Sequence, residues 1–158
     1  MADPGPPEPS AGSPAKPARE RLALALFYGV SALVMLGGLG DLAITDLLDA
    51  QEAMLSGNGA YPISPPARTV FLTVLHAMAG GLVGVGAASL LMTHFGIRRG
   101  HGWAVAGVAV AIGGAESANT LGMFTLGSPF WVITATYLGL LAVAVGLWIP
   151  SMRSGPNP

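Results

Sequence analysis

No cysteine occurs in the 158 residues. That absence excludes disulfides, thiolate nucleophiles, CxxCH haem attachment and cysteine-ligated zinc, and it removes any marker of redox compartment. Charge is nearly as scarce. Only 9% of the residues are Asp, Glu, Lys or Arg, against about a quarter in a soluble domain, which is too little polar surface to wrap a globule in water. Seven basic and eight acidic side chains leave a net charge of −1. No basic patch is large enough to follow a phosphate backbone, so nucleic acid is not an expected partner. Catalytic patterns are missing too. There is no GxSxG, the glycine-rich tracts lack the strand and lysine of a phosphate loop, and no second histidine stands level with His76 to complete a haem site. The chain is therefore expected to carry no catalytic residue, no metal and no cofactor.

Apolar residues fill the space instead, at 52% of the chain with a mean hydropathy of +0.61. The few charges are clustered between long uncharged tracts, the pattern of an integral membrane protein whose first partner is the lipid bilayer. A hydrocarbon core of about 30 Å needs about 20 helical residues. Four segments meet that length: LALALFYGVSALVMLGGLG (22–40), TVFLTVLHAMAGGLVGVGAASLLM (69–92), GWAVAGVAVAIGGAESANTLG (102–122) and WVITATYLGLLAVAVGLWI (131–149). The expected fold is thus all-α, an integral membrane four-helix bundle over residues 21–150. Trp131 and Trp148 near the ends of the last span fit interfacial belts.

Two flanking pieces are expected to stay outside the bundle. Residues 1–20, MADPGPPEPSAGSPAKPARE, hold six prolines and cannot bury enough apolar area to offset the entropy of ordering, so a disordered cytoplasmic tail is expected. A second short tail follows at 151–158. The run 22–40 is longer than the h-region of a signal peptide and reads as a retained span. Lys16, Arg19, Arg21, Arg98, Arg99 and Arg153 fall on one side of a four-span chain and only Arg68 on the other. By the positive-inside rule this predicts a multi-pass membrane protein with both termini in the cytoplasm.

The long outer connection, 41–67, begins with helical composition. Ile44, Leu47, Leu48 and Leu55 share an apolar side, with Asp46, Asp49 and Glu52 mostly turned away. The first helix is expected to run on past the membrane surface, or a short interfacial helix to follow it. SGNG then stops the helix, and YPISPP leads back in extended form.

Ionisable residues within spans cost at least about 2.5–3.5 kcal/mol on insertion scales, which makes each a functional hypothesis. At 1.5 Å per residue, Glu116, His76 and Tyr137 each come out about 10 Å below the outer surface, on three different helices. Asp41 ends the first helix just above them. His76 shares its face with Gly80 and Gly84, small residues that let helices approach closely, and is expected to point into the bundle. Asn119 lies one turn beyond Glu116, and Thr134 shares a face with Tyr137. The expected ligand-binding set is His76, Glu116, Asn119, Thr134 and Tyr137, with Asp41 and Arg68 at the mouth. The plain alternative is that these polar groups only lock the helices into register.

The layout of four short helices, a long first outer loop and a second helix reading RTVFLTVLHAMAGGLVGVGAASLL resembles the small bacterial four-helix proteins called DoxX-like, and related uncharacterised four-helix families. The resemblance implies an inner-membrane bundle, in some members linked to respiratory or redox complexes, and carries over no catalytic residue. Two readings follow. The first is an accessory or interaction subunit without catalysis of its own, packed as a homo-oligomer or in a larger membrane complex. The alternative is a carrier or proton-handling module for a small quinone-like or cationic ligand.

Overall fold

The computed structural model of the chain describes residues 16–57 and 59–153. Its elements are α1 (Ala18–Leu42), α2 (Asp49–Leu55), α3 (Pro65–Phe95), a 3₁₀ turn (Ile97–Arg99), α4 (Gly102–Thr125) and α5 (Trp131–Arg153), with no strand among the described residues. Four of these helices, α1, α3, α4 and α5, are long and apolar enough to cross a membrane. The helices outrun the apolar windows read from sequence because helix propensity continues into the flanking polar residues. At 1.5 Å per residue the 31 residues of α3 extend about 46 Å, half as long again as a hydrocarbon core. The expected tail at 1–20 lies outside the described residues up to Ala15. Ala18, Arg19 and Glu20 already form the first turn of α1. Of the second tail, 151–153 continue α5, and 154–158 lie outside the described residues.

Local chemistry sets the helix ends. Ser64 caps α3, accepting from the Ala67 N–H, and is followed by Pro65 and Pro66 in the first turn, where a missing N–H costs nothing. Gly57, Gly59, Gly100 and Gly127 adopt positive φ at the turns between elements, a region that side chains disfavour. Between α1 and α3 the chain breaks after Leu42 and forms a separate short helix, α2.

The four long helices form a ring in which α1 packs on α3 and α5, and α4 packs on α3 and α5. Tyr28 meets His94, Met35 meets Gly86, Gly38 meets Ala79 and Val83, and Ile44 meets His76. Position rises on α1 as it falls on α3, so the two run antiparallel. The close approach has a specific cause. A Cβ at Gly86 would lie 2.6 Å from the backbone nitrogen of Met35, and one at Gly38 would lie 2.7 Å from the Ala79 carbonyl. Only hydrogen fits at either place. Gly80, Gly81 and Gly84, by contrast, have nothing within 4 Å. Of the tract GGLVGVG only its last glycine packs inside this bundle; the others lie on the outside of α3.

One end of the interior is solid. Ala23, Phe27, Val30 and Val34 on α1, Ala104, Val108 and Ile112 on α4, and Leu141, Ala144 and Trp148 on α5 are buried at helical spacing around Ile97 of the turn. At this end α3 and α4 also touch, Gly96 against Ala104 and Gly107 against Met92. Outside, leucine, valine and aromatic side chains such as Leu36, Val70, Leu91, Val110 and Leu121 are more than half uncovered. Such a surface is poorly matched to water and well matched to hydrocarbon.

Candidate functional site: a polar cavity at the α2 end

The core stripes change character at one level. On α4 the sequence of buried positions Ala104, Val108, Ile112 continues at the same four-residue step to Glu116, which is only 2% exposed. On α5 the stripe Trp148, Ala144, Leu141 continues to Tyr137, and on α1 Val30 and Val34 lead towards Asp41. Each apolar stripe therefore ends in a polar side chain, and beyond that level the bundle is hollow. The resulting cavity, about 340 Å³, is lined by Asp41, Gln51, Glu116, Asn119, Thr134 and Tyr137 among apolar walls from Leu75, Met78, Leu82, Met123, Phe130 and Ile133.

Five of the seven residues expected at this site thus share one cavity: Asp41, Glu116, Asn119, Thr134 and Tyr137. His76 and Arg68 are not among its lining residues. His76 sits one position off the inward face of α3, which runs through Leu75, Ala79, Leu82 and Gly86. A single step turns a helical side chain by about 100°. It reaches instead to the connection after α1, with Nε2 2.7 Å from the Ile44 carbonyl oxygen. Arg68, in the first turn of α3, donates to the Asp46 and Glu52 carboxylates. Those bonds tie both the connection and α2 to α3.

Within the cavity the polar groups are unequally satisfied. The Thr120 and Thr134 hydroxyls are 2.7 Å apart and link α4 to α5; Thr120 also lies 2.7 Å from the Glu116 carbonyl oxygen and Thr134 3.0 Å from that of Trp131. Asn119, three residues on, presents its amide towards the Glu116 carboxyl. Glu116 Oε2 has no hydrogen-bond partner at all. A buried polar atom left unmatched costs about 1–3 kcal/mol, and such exceptions call for a reason. Glu116 itself is among the residues that line the cavity.

The roof of the cavity is α2, and its two faces differ. Leu48, Gln51 and Met54 turn inwards, while Asp49 and Glu52 line an open groove on the far face together with Tyr61 and Arg68. That outer groove is larger, about 680 Å³, but Arg68 and Glu52 already neutralise each other there. Gln51 was not foreseen from sequence. Its spacing from Leu48 and Met54, three residues each way, was the available signal.

The Asp46 carboxyl is held below its usual range, first by the Leu47 N–H, which donates to it at 2.8 Å, and then by Arg68. A folded-state value below the unfolded one stabilises the fold above the ordinary carboxylate range and loses that contribution as pH falls through the folded value. Acidification below about pH 4 is therefore expected to loosen the connection and α2. A spin label on Ser56→Cys, unique in a chain without cysteine, should gain mobility below that pH. Unchanged mobility down to pH 2 would show that the Arg68 pairs do not hold the roof.

No protein-family model, curated protein or solved structure matches the chain.

Proposed function

We propose that the chain is a membrane-embedded binding module for a small cationic ligand, held in the cavity under α2 with Glu116 as its charged partner. The observation that carries this reading is the composition of the lining. It contains two carboxyl groups, Asp41 and Glu116, the aromatic rings of Tyr137 and Phe130, and no cationic side chain. The nearest candidates for an internal counter-ion are engaged elsewhere, Arg68 with Asp46 and Glu52 and His76 with the Ile44 carbonyl. Carboxylates with aromatic faces and no base are complementary to an ammonium or amine. Of the two ligand classes open from sequence, quinone-like and cationic, the charge balance favours the second. One carboxyl oxygen can hold a proton or a cation but not both, so exchange of the two at Glu116 is the proton-handling side of the same reading. The layout likeness to the DoxX-like group, the inner-membrane location and cytoplasmic termini belong to this proposal and rest on the sequence pattern.

The test is binding of tetraethylammonium to the protein in lipid nanodiscs, with empty nanodiscs subtracted. Wild type should bind, and Glu116→Gln, which keeps the size and removes the charge, should weaken binding about tenfold or more, since a charge-assisted contact contributes about 1.5–3 kcal/mol. Equal binding by the two proteins would sink the reading.

A second reading, an interaction subunit, is favoured by the outer face of α3. Gly80, Gly81 and Gly84 lie open there, and α3 is the least covered of the four long helices. Small residues at four-residue spacing are the usual contact surface for another membrane helix.

A further inference from the structure

A second cavity of about 210 Å³ adjoins the first, and Gln51, Leu75, Met78, Asn119, Met123 and Phe130 line both. The two chambers differ sharply in chemistry. The inner one carries the two carboxyl groups. The outer one adds Phe71, Val74, Ala118, Gly122 and Leu126 and is almost wholly apolar. Phe71 and Val74 belong to α3, Ala118 and Gly122 to α4, and Leu126 caps α4, all at the end away from the Gly96–Ala104 contact that joins the two helices. Val74, Met78 and Leu126 are each more than half uncovered, so the outer chamber communicates sideways with the surroundings of the helices. Above, α2 closes the end of the bundle with Gln51 and Met54, and Arg68 fastens it there.

We propose that the ligand is a cationic amphiphile with one unbranched tail, which reaches the site from the lipid side through the α3–α4 seam. Its ammonium or amine head lies against Glu116 and Asp41, and its tail fills the outer chamber. The proposal rests on the reading of the Glu116 cavity as a cation site and adds to it the class of ligand and the route. At about 210 Å³ the outer chamber is the smaller of the two, a narrow apolar space of the kind a single short alkyl chain fills. A compact hydrophilic cation would leave it empty, and an apolar chamber continuous with a carboxylate pocket would then have no occupant.

The experiment compares two probes in nanodiscs, tetraethylammonium and heptyltrimethylammonium, with empty nanodiscs subtracted. Gly122→Leu and, separately, Ala118→Leu place a side chain in the outer chamber; Gly122 has nothing within 4 Å of its missing Cβ, so the bundle itself can accommodate the change, which a thermal melt checks. Each variant should weaken heptyltrimethylammonium about tenfold or more, the loss expected when several methylenes are expelled from an apolar site. Each should leave tetraethylammonium within about twofold, since neither Gly122 nor Ala118 lines the inner chamber and a substitution away from the contacts at issue is usually worth within about 0.5 kcal/mol. If the tailed probe binds the filled variants as well as wild type, or if both probes weaken alike, the amphiphile proposal is overturned, while Glu116→Gln still decides the cation site on its own. If Glu116→Gln changes neither probe, the underlying reading falls and takes this one with it.

Discussion

Gly86→Ala is expected to destabilise the bundle by about 2 kcal/mol or more, although it adds one methyl group and improves helix propensity. Overpacking of a tight interior costs about 1–3 kcal/mol and more where the neighbour cannot yield. At this position the new Cβ would meet the backbone nitrogen and Cα of Met35 at 2.6 and 2.8 Å, and backbone atoms of a packed helix do not swing aside as a side-chain terminus would. The only relief is to push α1 and α3 apart, which also loosens the Gly38 contact with Ala79 and Val83. Removing glycine from a helix interior returns about 0.5–1 kcal/mol, which offsets only part of the cost. Gly84→Ala supplies the control, because it gains the same propensity at a site with nothing within 4 Å. Unfolding in mixed micelles should therefore separate the two variants in opposite directions. Equal stability of both would mean that α1 and α3 do not approach as closely as the structure has them.

The same contrast bears on the interaction reading. Gly84→Leu leaves the interior untouched, so a single chain should fold as wild type does. If the open glycine face of α3 packs against another copy, light scattering in mild detergent should register a fall in assembled mass for Gly84→Leu and none for the propensity-matched Gly84→Ala. An unchanged mass for both would remove that face as an interface.

How much of this was legible from sequence follows from the period of the helix. Four long apolar windows with clustered charges required four long helices, and depth counted at 1.5 Å per residue put Glu116 and Tyr137 at one level. Azimuth was the weaker coordinate. On α4 every residue from 103 to 115 is apolar or glycine, so the stripe through 104, 108, 112 and 116 emerges only in the packed bundle. On α3 almost every residue is apolar or small, so no stripe stands out. The glycines at 80 and 84 suggested an inward face that in fact runs through 75, 79, 82 and 86. An error of one residue is enough to carry His76 from the cavity to the connection after α1. Arg68 lies outside the cavity lining for another reason. Its partners, Asp46 and Glu52, come together with it only because α2 folds back over the bundle, and nothing in the local pattern fixes where a seven-residue helix lies. The hollow itself was not legible, because a cavity is a failure of four side-chain sets to meet, and sequence gives each set separately.

Glu116→Leu is expected to raise the stability of the bundle by about 1–3 kcal/mol while eliminating cation binding. If Glu116 served as structural glue, its removal would cost stability, because the groups that it satisfied would lose their partner. The structure assigns it no such role through Oε2, which bonds to nothing, and its carbonyl contact with Thr120 belongs to the backbone and survives any substitution. Leucine is close in volume and continues the apolar stripe of Val108 and Ile112 by one more turn. It would remove a desolvated, half-satisfied carboxyl and gain the burial of an aliphatic side chain. Asn119 loses its neighbour, but it is only partly buried and borders the cavity. A residue whose replacement stabilises the fold and abolishes a property is kept for that property. Unfolding of Glu116→Leu, Glu116→Gln and wild type in mixed micelles, alongside tetraethylammonium binding, measures both quantities on the same samples. A Glu116→Leu protein less stable than wild type would return the carboxyl to the role of interhelical fastening and leave the cavity without a purpose.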